Sequence, residues 1–319
     1  MSTELSRRDM LARTGVCLGT AATAAATSVA IAGGPQAEPT FEPFGYCLNM
    51  ATLMGHKLSV VEEIETAAKA GWQGVELWIR NVRRFVEEGG SLGDLKKRIS
   101  DLGLTLVSAI GFTAWAVDDD AERAEGLKQF QEEMELVAQI GGTHIAASPA
   151  GINRTAGVDL FKVAERYRAL LELGERIGVV PQLEIWGGAL TLGTVGEAAL
   201  VACQANHPDA CLLLDAFHMY KGTSGFECLK LLSGAKMHEF HINDYPDDPP
   251  RDQMNDSHRV YPGDGVCPLS SVLKTLYATG FRGMLSLEVF NRDYWQQDAL
   301  TVARTGLEKT RNVVRQSLA

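Results

Sequence analysis

From residue 44 onward, short apolar runs alternate with amphipathic stretches. Runs at 44–49, 74–78, 105–110, 144–148, 180–185, 211–215, 237–242 and 284–289 predict eight strands. Most are almost continuously apolar, as expected when helices cover one side of a sheet and a packed interior fills the other. The intervening segments read as helices. Leu160, Val163, Ala164, Tyr167, Leu170 and Leu171 form one apolar stripe at helical spacing. Ser59 followed by Glu62 is a capping box, and Gly71, Gly103, Gly141 and Gly280 stand where helices should close. Eight βα units in about 280 residues predict a single (β/α)8 TIM barrel of the α/β class. An open doubly wound sheet is the alternative, but it normally carries a glycine-rich phosphate loop after its first strand. Here that strand runs into Asn49-Met50-Ala51-Thr52-Leu53, which has no glycine.

Four of the later runs end on or near metal-ligand types of residue: PQLEIW at Glu184, CLLLDAFH at Asp215, HEFHIND at His241 and LSLEVF at Glu288. A carboxylate at the end of a buried strand costs on the order of several kcal/mol unless something pairs with it. One such residue is ordinarily an anchored structural acid. Four of them, each separated by room for a helix, point to a shared cation, because a parallel barrel gathers its strand C-termini at one face. Three carboxylates and one imidazole suit Mn²⁺, Mg²⁺ or Co²⁺, admit Zn²⁺ and exclude a thiolate zinc centre. His238 lies an odd number of residues from His241 and so points to the other face of its strand. His144 opens its strand at the bottom of the barrel, and His56 and His207 read as surface residues. Asp118-Asp119-Asp120 reads as a solvated helix start.

Charge and cysteine content narrow the function. A net charge of −10 without any basic cluster argues against a nucleic-acid partner. The six cysteines lack metal-type spacing, and with Cys17 in the leader described next, a disulfide framework is not expected. Arg7-Arg8, followed by an Ala/Thr-rich stretch over 15–32, resembles a twin-arginine export signal, with Met10 where an aromatic is more usual. Ala30-Ile31-Ala32 offers a cut after Ala32. The stretch is too weakly apolar for a stable membrane span, which needs about 20 strongly apolar residues. The expected organisation is an export signal over 1–32, a linker over 33–43 and the barrel over 44–319, in a protein exported to the periplasm already folded.

The motifs LEIW (Glu184), DAFH (Asp215 to His218), HIND (His241 to Asp244), RVYPGDG (Arg259 to Gly265) and SLEVF (Glu288) together resemble the xylose isomerase-like TIM-barrel superfamily. The resemblance runs from about Phe44 to Ser317, and GWQGVELW, with Glu76, resembles that family's second strand. It implies one divalent cation on Glu184, Asp215, His241 and Glu288, with the two glutamates flanking the substrate. It further implies substrate contacts from Arg259 and Glu76. His218 and Trp186, at the mouths of their strands, are candidate contacts to a sugar hydroxyl and a sugar face.

Two opposed glutamates beside a cation fit general acid–base chemistry. One removes the proton next to a carbonyl, the other returns it, and the cation steadies the enediolate between. The expected activity is a metal-dependent isomerase or epimerase acting on an unphosphorylated keto-sugar, aldose or inosose. A dehydrating lyase acting on an inosose or related keto-polyol needs the same groups. In the family this chain resembles, endonuclease IV-like hydrolysis uses a cluster of metals and extra histidines from the second and third strands, where this chain reads Glu76-Leu77-Trp78 and Ile110-Gly111-Phe112. A purely sugar-binding barrel has no need of two opposed carboxylates. The Pro/Asp-rich segment 244–258 reads as an extended loop over the barrel mouth, either a lid or a subunit contact, which leaves a homo-oligomer open.

Overall fold

A computed structural model describes residues 42–222 and 225–319. The expected export signal and nearly all of the linker lie outside the described residues. Eight strands form: β1 (Gly45–Asn49), β2 (Gly74–Trp78), β3 (Thr105–Ile110), β4 (His144–Ala147), β5 (Val180–Glu184), β6 (Leu212–Asp215), β7 (Glu239–Ile242) and β8 (Met284–Leu287). Neighbouring strands pair in parallel, in the order β3-β2-β1-β8-β7-β6-β5-β4. The seam between β3 and β4 is spanned by Ser148 Oγ donating to the Gly111 carbonyl (3.2 Å), and Gln182 Nε2 on β5 donates to Ser108 Oγ on β3 (3.2 Å). The sheet therefore closes on itself as a single (β/α)8 barrel.

The helices are α1 (Val60–Ala70), α2 (Ile79–Glu87), α3 (Leu92–Asp101), α4 (Asp120–Gln139), α5 (Leu160–Ile177), α6 (Val195–Ala205), α7 (Ala216–Lys221), α8 (Leu269–Ala278) and α9 (Ala299–Leu318). Eight were expected; β2 is followed by two, because Gly89, at φ 91°, turns the chain between α2 and α3. Local chemistry sets their ends. Ser59 and Glu62 make the reciprocal capping box of α1, Asp119 caps α4 by accepting from Glu122 N, and Gly71, Gly103, Gly141 and Gly280 all adopt positive φ. The stripe on α5 buries Val163, Ala164, Tyr167, Leu170 and Leu171. Among the described residues no helix is long and apolar enough to cross a membrane.

The inside of the barrel is partly polar. Side chains two residues apart on a strand share a face, so β7 sends both Glu239 and His241 inward, followed by Asn243 beyond its end. Likewise β5 sends Gln182 and Glu184, and β8 sends Ser286 followed by Glu288. All of these are buried. Strand register brings the functional ends together: Asp215 pairs with His241, and Glu288 N donates to the Ile242 carbonyl.

Candidate metal centre and cavity

The C-terminal ends of β6, β7 and β8 place Asp215, His241 and Glu288 so that one ligand atom from each lies within 4.8 Å of the others. His241 Nδ1 is 3.3 Å from Glu288 Oε2 and 3.8 Å from Asp215 Oδ2, is fully buried, and makes no hydrogen bond to either. Its other nitrogen is engaged. Nε2 lies 3.0 Å from Glu76 Oε2 and 3.2 Å from Oε1, so Glu76 can accept the Nε2 proton, which leaves a lone pair on Nδ1. An unpaired imidazole nitrogen facing two carboxylates is a donor set that fits a divalent cation.

Glu184, the fourth expected ligand, stands outside that triplet. It is buried at the end of β5 with Oε2 unpaired, and it lines a cavity of about 440 Å³ together with Glu288, His218 and Arg259. The two glutamates differ in environment. Burial raises the Glu184 carboxyl to about 8, with His241 pulling it down and Glu288 and Glu76 pushing it up. Burial acts the same way on Glu288, but His241 and Arg259 outweigh it and bring that carboxyl to about 2. Burial also opposes charge on His241, yet Glu76 and Glu288 hold its proton well above the ordinary range. The same carboxylate field that would retain a proton there favours a cation.

Arg259 is buried rather than held in a solvated loop. Nη1 donates to Asp215 Oδ2 and Glu288 Oε2, both at 2.8 Å. Nη2 donates to Asp256 Oδ1 (2.6 Å) and to His218 Nε2 (3.1 Å). The antiparallel bridge between Asp244 and Val260 fixes this segment, and Asp244 also accepts from Gly263 N and Cys267 N. Because His218 Nε2 accepts from Arg259, its proton is on Nδ1, which is buried and unpaired. Burial, helped by Arg259, lowers the His218 pKa, so the ring is neutral. Gly187 lets the loop after β5 press against α7; a Cβ there would meet the His218 carbonyl at 2.2 Å.

Trp186 lines the cavity, in a wall with Phe112, Trp78 and Phe290 whose neighbouring ring centroids are 5.2–6.2 Å apart. Glu76 takes a different place from the substrate contact expected of it. It is fully buried beneath the mouth, does not line the cavity, and accepts from Asn49 Nδ2 (2.7 Å) and Ser286 Oγ (2.8 Å) as well as His241. Position on β2 put it near the mouth; its side chain turns to the barrel interior instead.

Sequence reasoning missed four residues. Asn49 donates to both Glu76 and Glu288, and Asn243 Nδ2 donates to Asp215 Oδ2 (2.9 Å). Asp256 holds Arg259. Glu239 lies one pleat below His241 with one oxygen accepting from Gln182 (2.7 Å) and the other unpaired. Period-two spacing from His241 was the available signal for Asn243 and Glu239. Among the other histidines, His144 and His238 meet at the barrel bottom, centroids 4.3 Å apart, and His258 bonds within its own turn.

Residues 64–313 match the family described as xylose isomerase-like TIM barrel. The chain belongs to that family. It is 27% identical over 273 residues to an inosose isomerase of Bacillus velezensis, covering 84% of this chain and 96% of that protein. It is also 27% identical over 238 residues to a 3-dehydroshikimate dehydratase of Pseudomonas aeruginosa, covering 72% of this chain but 36% of that one. In three dimensions it resembles the IolI protein, whose crystal structure holds a zinc atom, with a TM-score of 0.79, 24% identity, and 86% and 100% of the two chains covered. The first two of these relatives are an isomerase and a dehydratase.

Proposed function

We propose that this protein is a divalent-metal-dependent isomerase or epimerase of an unphosphorylated keto-sugar, aldose or inosose. The observation that carries the reading is the buried, unpaired Nδ1 of His241 facing Asp215 and Glu288, beside a cavity that also holds Glu184. Glu184, Asp215, His241 and Glu288 would hold the cation, which supplies Lewis acidity toward a substrate carbonyl. The protein's own groups do the rest. Glu184, poorly paired and easily protonated, exchanges a proton at the carbon next to the carbonyl. Glu288, held ionised by Arg259, faces the same region as its partner. Neutral His218 offers its Nδ1–H to a hydroxyl, Arg259 offers a fixed guanidinium, and the Trp186–Phe112 wall excludes water and packs a ring face.

A lyase on the same framework is the second reading, favoured by the likeness to a 3-dehydroshikimate dehydratase. The test is turnover of ketoses and inososes by metal-loaded protein, with products weighed and run in deuterated water. An isomer of unchanged mass carrying solvent deuterium next to the carbonyl supports isomerase chemistry. Loss of one water moves the assignment to the lyase, and no turnover with any of Mn²⁺, Mg²⁺, Co²⁺ or Zn²⁺ overturns both. The Arg7-Arg8 pair and the Ala-rich stretch after it support export by the twin-arginine route with cleavage after Ala32. Protein recovered from the periplasm with Met1 intact would contradict the cleavage.

A further inference from the structure

The charged groups of the cavity are accounted for by the proposed metal centre, with one exception. Arg259 is shared among Asp215, Glu288, Asp256 and His218, and Asp256 is taken up by Arg259. Arg154 also lines the cavity, and it makes no hydrogen bond or ion pair with any described residue. Its backbone is nevertheless fixed from both sides. Leu190 N donates to the Asn153 carbonyl (2.8 Å), and Thr191 Oγ1 donates to the Thr155 carbonyl (2.7 Å). The loop after β4 is thus tied to the loop after β5 on either side of Arg154. Arg154 is exposed to solvent at the edge of the cavity, and an arginine that recognises a ligand there gains from the tether, because the cost of fixing its backbone is met before the ligand arrives.

From this geometry we infer that Arg154 reads a carboxylate on the substrate, so that the natural substrate is a keto-polyol bearing an acid group rather than a neutral sugar. The inference rests on the metal-dependent reading above, in which a carbonyl-bearing polyol is bound, and moves its substrate from a neutral keto-sugar or inosose to an acid-bearing keto-polyol. A planar guanidinium matches a carboxylate with two parallel hydrogen bonds. A phosphate carries more charge than this site can match, because Arg154 is the one unpaired cation among the described residues lining the cavity. The aromatic wall formed by Trp186, Phe112 and Trp78 gives the carbon skeleton an apolar face to lie on. Substrate would then be held at two ends, its carbonyl toward Glu184 and Glu288 and its acid group toward Arg154.

Calorimetric titration of the metal-loaded full chain with shikimate, with its methyl ester and with myo-inositol tests this. These are a cyclic polyol acid, its neutral counterpart and a neutral ring without the acid. The expected result is that shikimate binds at least about tenfold more tightly than the ester. In R154Q the shikimate affinity should fall to that of the ester, and R154K should restore part of it. Equal affinity for acid and ester, or a preference that survives in R154Q, overturns the carboxylate assignment while leaving the keto-polyol reading in place. Inorganic phosphate displacing shikimate more strongly than acetate does also overturns it. Failure of all three polyols to bind protein that has been shown to bind metal overturns the keto-polyol reading as well.

Discussion

Three of the proposed ligands are each gripped from behind by another side chain: Asp215 by Asn243, His241 by Glu76 and Glu288 by Asn49. Glu184 has an unpaired oxygen instead. Such outer partners fix the tautomer and direction of a ligand, and losing one typically lowers metal affinity by about 10–100-fold. Glu76→Gln is therefore expected to weaken cation binding by about that factor, measured by competition with a chromophoric chelator. A variant with unchanged metal affinity would reduce Glu76 to core packing. Glu184→Gln and Glu288→Gln should each keep the fold and lose at least about 10²–10⁴-fold in turnover, the range of a single acid–base group. Full metal occupancy with a near-normal rate in E288Q would remove Glu288 from proton transfer. Asn243 lies one period of the strand beyond His241, but the roles of Glu76 and Asn49 were not legible locally. His241 and Glu76 are 165 residues apart in the chain, and Asn49 and Glu288 are 239 apart, so only closure of the barrel makes them neighbours.

Element by element, the strands were the most legible part of the chain. Both faces of a barrel strand are buried, so each strand stands out as an apolar run whose polar interruptions mark the inward ligands. The largest offsets fall at β7, expected from 237 and formed from Glu239, and at β8, expected to 289 and ending at Leu287. The long loop over the mouth could be recognised by its composition, but not how it is held. Lys221 at the end of α7 donates to the carbonyls of Arg251 (2.6 Å) and Met254 (2.7 Å), and Tyr220 stacks on Tyr245 with centroids 4.0 Å apart. The same loop supplies Asp256 to Arg259. Lys221→Met should release it, raising KM severalfold with a smaller change in kcat and speeding proteolytic cleavage between 246 and 256, since hydrogen bonds to a charged group contribute about 1.5–3 kcal/mol. Unchanged cleavage would mean that aromatic stacking alone holds the loop. On α1, burial raises the Glu63 carboxyl to about 8, with Asn81 its one donor among the described residues. A carboxyl with a raised folded pKa favours the fold below its ordinary pKa and loses that contribution as pH climbs through about 8. Glu63→Gln should flatten this loss, worth about 1.4 kcal/mol per pKa unit. Urea unfolding at pH 5 and pH 8.5 would show it, and equal pH slopes in both proteins would refute it.

On the scale of the whole molecule, the barrel is an apolar shell around a polar centre. Between barrel and helices the packing is aliphatic and aromatic, while the interior holds Glu76, Glu239, Gln182, Ser108 and Ser286 beneath the proposed ligands. Several buried acids crowd one region, and only Arg259 among the described residues brings a guanidinium to Asp215 and Glu288. Like charges so close oppose the folded state unless a cation or protons relieve them. A cation that binds only the folded chain must then stabilise it, by about 2.7 kcal/mol at a free concentration 100 times its Kd. For a domain of this size that corresponds to a rise in Tm of roughly 4–5 °C. The shift should be reversed by a chelator, should grow with metal concentration, and should vanish in Asp215→Asn, which keeps the side-chain volume but removes a ligand charge. Arg259→Met supplies the complementary measurement: without the guanidinium the acids depend more heavily on the cation, so the metal-free protein should lose stability and the metal-induced rise should be larger than in the parent. If Mn²⁺, Mg²⁺, Co²⁺ and Zn²⁺ all leave the Tm of the parent unchanged, the three-residue cluster is a proton-relieved structural network and the metal reading fails at its root.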